Sequence, residues 1–171
     1  MRALGNLYDI TSQWIPHADM AAGAQTGQRI HLNKFESVTF VVYLAAVSAG
    51  TDTFVPDVQQ HTASSSGTTT DLDVITEVYI KFETTLDGDE TWTRVTQSAA
   101  SEISLTGATY AATQMIVVFE VDAAQLSDGY EWISIDMADA GSGGTRAGCA
   151  LAILNKPSVA SRPDRLPALL A

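Results

Sequence analysis

Two segments of the chain leave little choice of secondary structure. In Ser37–Leu44 (SVTFVVYL), Val38, Phe40, Val42 and Leu44 recur at every second position. In Thr113–Val121 (TQMIVVFEV), Met115, Val117, Phe119 and Val121 do the same. A period of two places each set on one face of an extended strand, whereas a helix would scatter it around its circumference. No stretch carries the sustained 3.6-residue apolar period of a long amphipathic helix. The fold class that follows is all-β.

The remaining segments extend this pattern. Thr53–Gln60 reads as a strand weakened by Pro56, which suits an edge or a bulge. Asp71–Phe82 alternates, with Val74, Thr76, Val78, Ile80 and Phe82 on one side. Leu86–Glu90 (LDGDE) sets an Asp-Gly pair between two strand-like runs, the signature of a tight hairpin, and Thr91–Thr96 returns from it. Tyr130–Met137 and Ala147–Leu154 (AGCALAIL) complete the set, and Ala123–Leu126 forms at most one helical turn. About eight strands at short intervals, with loops at Ala63–Thr70 and Ala138–Thr145, predict a two-sheet antiparallel β-sandwich, jelly roll or immunoglobulin-like. The expected domain plan is an N-terminal arm over 1–29, a sandwich over 30–155 and an extended tail over 156–171, punctuated by Pro157, Pro163 and Pro167.

Composition narrows the function. A chain of 171 residues that is 46% hydrophobic can build a core without staples, and its single Cys149 allows no internal disulfide. The net charge of −11 argues against binding nucleic-acid phosphates or an anionic membrane. That charge is uneven: residues 30–155 carry 17 acids and 4 bases, whereas residues 156–171 carry Lys156, Arg162 and Arg165 against Asp164. A basic tail of one copy lying on the acidic body of another is one reading, and an acidic body that keeps the protein soluble is the other. No 18-residue apolar run spans a bilayer, and Met1–Asn6 lacks the apolar region of a signal peptide.

No pattern nominates a catalyst. His17, His31 and His61 are scattered at no metal-ligand spacing, and read as surface or loop histidines. Asp87, Asp89 and Glu90 around Gly88 lack the spacing of a calcium loop. There is no Gly-x-Ser-x-Gly elbow, and the glycines at 141, 143 and 144 precede no helix. Tyr130 and Trp132 share a strand face beside Ser134 and Asp136, where a sugar-stacking platform is conceivable. Cys149, among alanines and glycine, reads as a small core residue. No enzyme activity, cofactor or metal is expected.

Several stretches together carry a likeness to a known group: Arg29–Leu32, Phe35–Val42, Val58–Ala63 before a Ser/Gly loop, Ile116–Leu126 (IVVFEVDAAQL), Asp128–Ile133, and Arg162–Leu166 in the tail. Their order over roughly residues 20–167 resembles small jelly-roll proteins that decorate or cement the capsids of tailed bacteriophages. The resemblance implies a non-enzymatic virion protein, made in the host cytoplasm and bound to the outer surface of the head. Its partners would be the major capsid protein and neighbouring copies of itself, with no nucleic acid and no membrane. The partner contacts expected from the two extended ends are Trp14, Ile15, Arg162, Arg165 and Leu166. A tail or head–tail connector protein, or a carbohydrate-binding sandwich, remains an alternative.

Overall fold

The computed structural model describes residues 3–47, 52–141 and 143–158. Its strands are β1 (Tyr8–His17), β2 (Ile30–His31), β3 (Phe35–Leu44), β4 (Pro56–His61), β5 (Thr69–Asp71), β6 (Ile75–Glu83), β7 (Thr93–Ala100), β8 (Gln114–Asp122), β9 (Trp132–Met137) and β10 (Gly148–Pro157). A single helical turn, α1 (Gly107–Tyr110), precedes β8. The strands form a six-stranded sheet in the order β1-β10-β3-β8-β6-β7 and a four-stranded sheet in the order β2-β9-β4-β5. All strand pairings are antiparallel, and the two sheets enclose the core, so the protein is an all-β sandwich.

The alternating runs become the centre of the larger sheet. Val38, Phe40, Val42 and Leu44 of β3 and Met115, Val117, Phe119 and Val121 of β8 are all at most 2% exposed. Phe40 lies opposite Phe119 in the ladder, with ring centroids 5.4 Å apart. Burying a side chain of this size stabilises the fold by about 2–3 kcal/mol. β10 offers Ala150 and Ala152 to the same layer. These small residues sit beside Val42 and Phe40 on one side, and Ala150 faces Trp14 of β1 on the other. Large against small fills the layer without voids.

Four expectations are corrected. Residues 8–17 are not an arm: they form a ten-residue edge strand of the main sheet, paired to β10 from Tyr8↔Asn155 to His17↔Gly148. Register shifts between Ser12 and Trp14, and between Trp14 and His17, break the alternation that would have announced the strand. The tail begins later than residue 156, because Lys156 donates its N–H to the Leu7 carbonyl and Pro157 pairs with Phe35. Pro56 does not mark an edge strand: β4 lies inside its sheet between β9 and β5, and Pro56 is its first residue, paired with Met137. Asp71–Phe82 is not one strand, since the chain turns at Leu72–Val74 and passes from the small sheet (β5) to the large one (β6).

One end of the sandwich is tied by a buried arginine. Arg146 is 0% exposed. Its Nε donates to the Ala45 carbonyl (2.6 Å), and one terminal nitrogen donates to the carbonyls of Tyr110 and Thr113 (3.0 Å each). Its backbone N–H donates to Asp19 Oδ1 (3.1 Å), and the guanidinium lies over the Phe54 ring, 5.0 Å from the centroid. Burial pulls its pKa down to about 10, so it stays charged at neutral pH. One side chain thus fastens the segment after β3, the segment between α1 and β8, and the segment before β10.

Candidate interaction surface

The expected contact residues separate once they are placed. Trp14 is 3% exposed and donates its indole N–H to the Ile135 carbonyl (2.9 Å). It is therefore a core residue, and a partner cannot reach it. The neighbouring Gln13, 2% exposed, accepts the Ile135 N–H through Oε1 (3.0 Å) and donates Nε2 to the Gln28 carbonyl (2.8 Å). Two adjacent side chains of β1 therefore supply the backbone partners that β9 lacks at Ile135, where the flanking strand has a gap. On either side that strand pairs normally, Ile30 with Ile133 and Gln25 with Met137. The bulge that hides β1 from sequence reading is what turns both Gln13 and Trp14 inward. Ile15, by contrast, is 67% exposed. Arg162, Arg165 and Leu166 lie outside the described residues.

The small sheet offers no sugar platform at Trp132. That ring is buried and stacks on the His31 imidazole, with centroids 4.5 Å apart and planes 11° from parallel. Beside it runs a chain of polar groups. Arg29 donates to Thr69 Oγ1 (3.2 Å), and Thr69 Oγ1 meets His61 Nδ1 at 2.9 Å. His61 Nε2 meets Ser134 Oγ at 2.9 Å, and Ser134 donates to Asp136 Oδ1 (3.1 Å), which also accepts the Gly27 N–H (3.0 Å). Counting donors assigns the tautomer: Ser134 has given its proton to Asp136, so His61 donates from Nε2 and accepts at Nδ1 from Thr69. His61 is thus a buried, neutral residue and not the surface histidine expected. Burial, then the charge of Arg29, lowers its pKa to about 4.

This shift has a sign. The folded-state pKa lies below the unfolded value of 6.5, so stability is complete above pH 6.5 and is lost as the pH falls towards 4. The loss through this one group is expected to reach about 3 kcal/mol. Urea unfolding of wild type and His61→Gln between pH 7 and pH 4 checks it. The gap between the two proteins should shrink across that window, and a constant gap would remove His61 from the account.

Two open clefts carry acidic residues. One of about 530 Å³ is bounded by Asp19, Ala21, Ala22, Asp139, Gly141, Gly144 and Thr145. The other, about 350 Å³, lies at the β6–β7 hairpin, where carboxylate oxygens of Glu83, Asp89 and Glu90 come within 4.8 Å of one another. The expected trio included Asp87. The hairpin instead brings Glu83 from the end of β6 to the two tip acids, and the charge of Asp89, then partial desolvation, then the charges of Asp87 and Glu90 raise the Glu83 pKa.

The most extensive unusual feature is the outer face of the six-stranded sheet. The register builds it row by row. Leu151, Val41, Val118 and Tyr79 stand side by side on β10, β3, β8 and β6. The next row holds Cys149, Tyr43, Ile116 and Lys81, with the Lys81 ammonium 5.3 Å over the Trp92 ring. On the other side lie Ile10, Ile153, Thr39 and Glu120, and then Tyr8, Asn155, Ser37 and Asp122. Leu151, Tyr43, Tyr79, Ile10 and Trp92 are 39–50% exposed. Arg94, at the β7 margin, is held by Glu77 (Nε to Oε2, 2.7 Å). The face therefore grades from apolar at one end to acidic at the other, at Glu120 and Asp122. Cys149, expected in the core, is half-buried on this face, because the core side of β10 belongs to Ala150 and Ala152.

No protein-family model, curated protein or solved structure matches the chain.

Proposed function

We propose that the protein is a structural component of a phage virion that docks on the major capsid protein and reinforces the head shell from outside. The apolar outer face of the six-stranded sheet supports this reading most directly. A sandwich strand with one face in water normally alternates apolar-in and polar-out, and here the outer sides of β3, β8 and β10 carry Val41 and Tyr43, Ile116 and Val118, and Leu151 and Ile153. Contiguous apolar surface rimmed by polar groups marks protein–protein contact. Topology adds support. With the β6–β7 hairpin set aside, the orders β1-β10-β3-β8 and β2-β9-β4-β5 correspond to two nested Greek keys, and we read the sandwich as a jelly roll, an architecture found in viral capsid and lectin domains. The burial of Trp132 weighs against the carbohydrate-binding alternative. A connector role would use the same face but at low copy number.

The test is sedimentation of shells assembled from major capsid protein after mixing with the purified protein. Copy numbers in the hundreds and a raised disruption temperature are the expected result. In the double variant Leu151→Glu/Tyr43→Glu, binding should fall at least about 30-fold, the effect of losing a hot spot worth about 2 kcal/mol, while circular dichroism is unchanged. Wild-type protein that stays in the supernatant, or a double variant that binds equally well, would overturn the proposal.

A further inference from the structure

We infer that, in the free protein, two copies cover each other's outer sheet face in a two-fold dimer whose axis runs along the row Leu151, Val41, Val118 and Tyr79. The inference shares its surface with the shell-docking proposal but does not depend on it. That row crosses the middle of the face: Val118 is the central residue of β8 and Tyr79 the central residue of β6. An axis lying along the row sets each residue against its own counterpart, Leu151 against Leu151 and Val41 against Val41, so the most apolar line of the face packs on itself. The strands of the two copies then run antiparallel and aligned, which is how sheets commonly stack face to face.

Charge selects both this axis and a second copy as the occupant. The row on one side of the axis holds Tyr43, Ile116 and Lys81. On the other side lie Glu120 of β8 and Glu77 of β6, the latter also holding Arg94. Rotation about the axis exchanges the two sides. Lys81, whose ammonium lies over the Trp92 ring and forms no ion pair among the described residues, is thereby brought over Glu77 and Glu120 of the second copy. An axis along the strands would instead lay the acidic end, Glu120 and Asp122, on itself, and like charges facing across a water-poor interface repel. About the chosen axis the two Glu120 residues stand about 13 Å apart along the strands. The area is sufficient. β10, β3, β8 and β6 with half of each flanking strand are about 24 Å wide, and their overlap is about 27 Å long. That is about 650 Å² per copy and about 1,300 Å² in all, within the range of about 1,200–2,000 Å² typical of specific, stable interfaces.

Sedimentation equilibrium of the full chain over about 1–200 µM should show a reversible dimer with a dissociation constant in the micromolar range. Tyr79 tests the axis itself. It lies on the axis and is 39% exposed, so a charge there meets its own copy without entering the core. Tyr79→Glu and Tyr79→Lys should each weaken the dimer at least about tenfold, with circular dichroism confirming that both are folded. An equimolar mixture of the two should recover a dimer close to wild-type strength, because opposite charges then meet. A wild-type protein that stays monomeric, a single variant that dimerises as tightly as wild type, or a mixture no tighter than its components would each overturn the inference. Sedimentation with shells is scored separately. A dimer that fails to bind shells overturns only the shell-docking proposal, and shell binding by a protein that stays monomeric overturns only the dimer.

Discussion

Replacing Arg146 with alanine is expected to destabilise the protein by about 3–5 kcal/mol, the largest effect of any single substitution considered. The guanidinium satisfies the carbonyls of Ala45, Tyr110 and Thr113. Each buried acceptor left without a donor costs about 1–3 kcal/mol, and the vacated space beside Phe54 adds a cavity term. No carboxylate forms an ion pair with the guanidinium among the described residues, so no counter-charge is stranded. The loss is therefore one of hydrogen bonds and packing. Lysine should restore only part of it, since one ammonium cannot span acceptors on two separate segments. Urea unfolding at pH 7 measures both variants. A loss below about 1 kcal/mol for the alanine variant would show that the three segments hold together without the arginine.

Gly27→Ala should cost about 3 kcal/mol, near the upper limit for overpacking. A methyl there would stand 2.3 Å from the Ile135 carbonyl oxygen and 2.6 Å from Gln13 Oε1. The nearer contact is backbone, so no rotamer change relieves it. The gap in the strand beside β9 would have to open, breaking the hydrogen bonds that Gln13 and Trp14 make to Ile135. Gln13→Ala alone should cost about 2 kcal/mol by leaving the Ile135 N–H and Gln28 carbonyl unsatisfied. Because both substitutions damage one set of contacts, the double variant should lose less than the sum. Full additivity in thermal and urea unfolding would mean that the two sites are independent.

The centre of the fold was legible because its signal is local. Alternation in Ser37–Leu44 and Thr113–Val121 placed β3 and β8 and the faces they bury. The edge strand β1 was not legible, because its bulges shift the phase and its buried Gln13 looks like a surface residue in sequence. Gln13 is buried to serve a backbone 122 positions away, and no window along the chain contains that relation. His61 was misread for the same reason: its partners Thr69 and Ser134 come from two other strands. The candidate surface was half legible. Ile116 and Val118 between Met115 and Phe119, and Leu151 and Ile153 beside Ala152, made the strands apolar on both faces. Such a run reads as doubly buried, and only the sheet order shows that one of its faces has nothing packed on it among the described residues.

The pairing of β1 with β10 sets the timetable of folding as well as the shape. Trp14 must wait for Ile135, and Tyr8 for Asn155, before either is in place. A chain emerging from the ribosome at about 5–20 residues per second therefore carries its first strand unpaired for several seconds. Closure of the main sheet comes only when β10 slides between β1 and β3, a contact between distant parts of the sequence of the kind that slows folding. Until then the inner faces of β1 and β3 are as exposed as the outer one. The nascent protein thus passes through a window in which self-association competes with completion of the sheet.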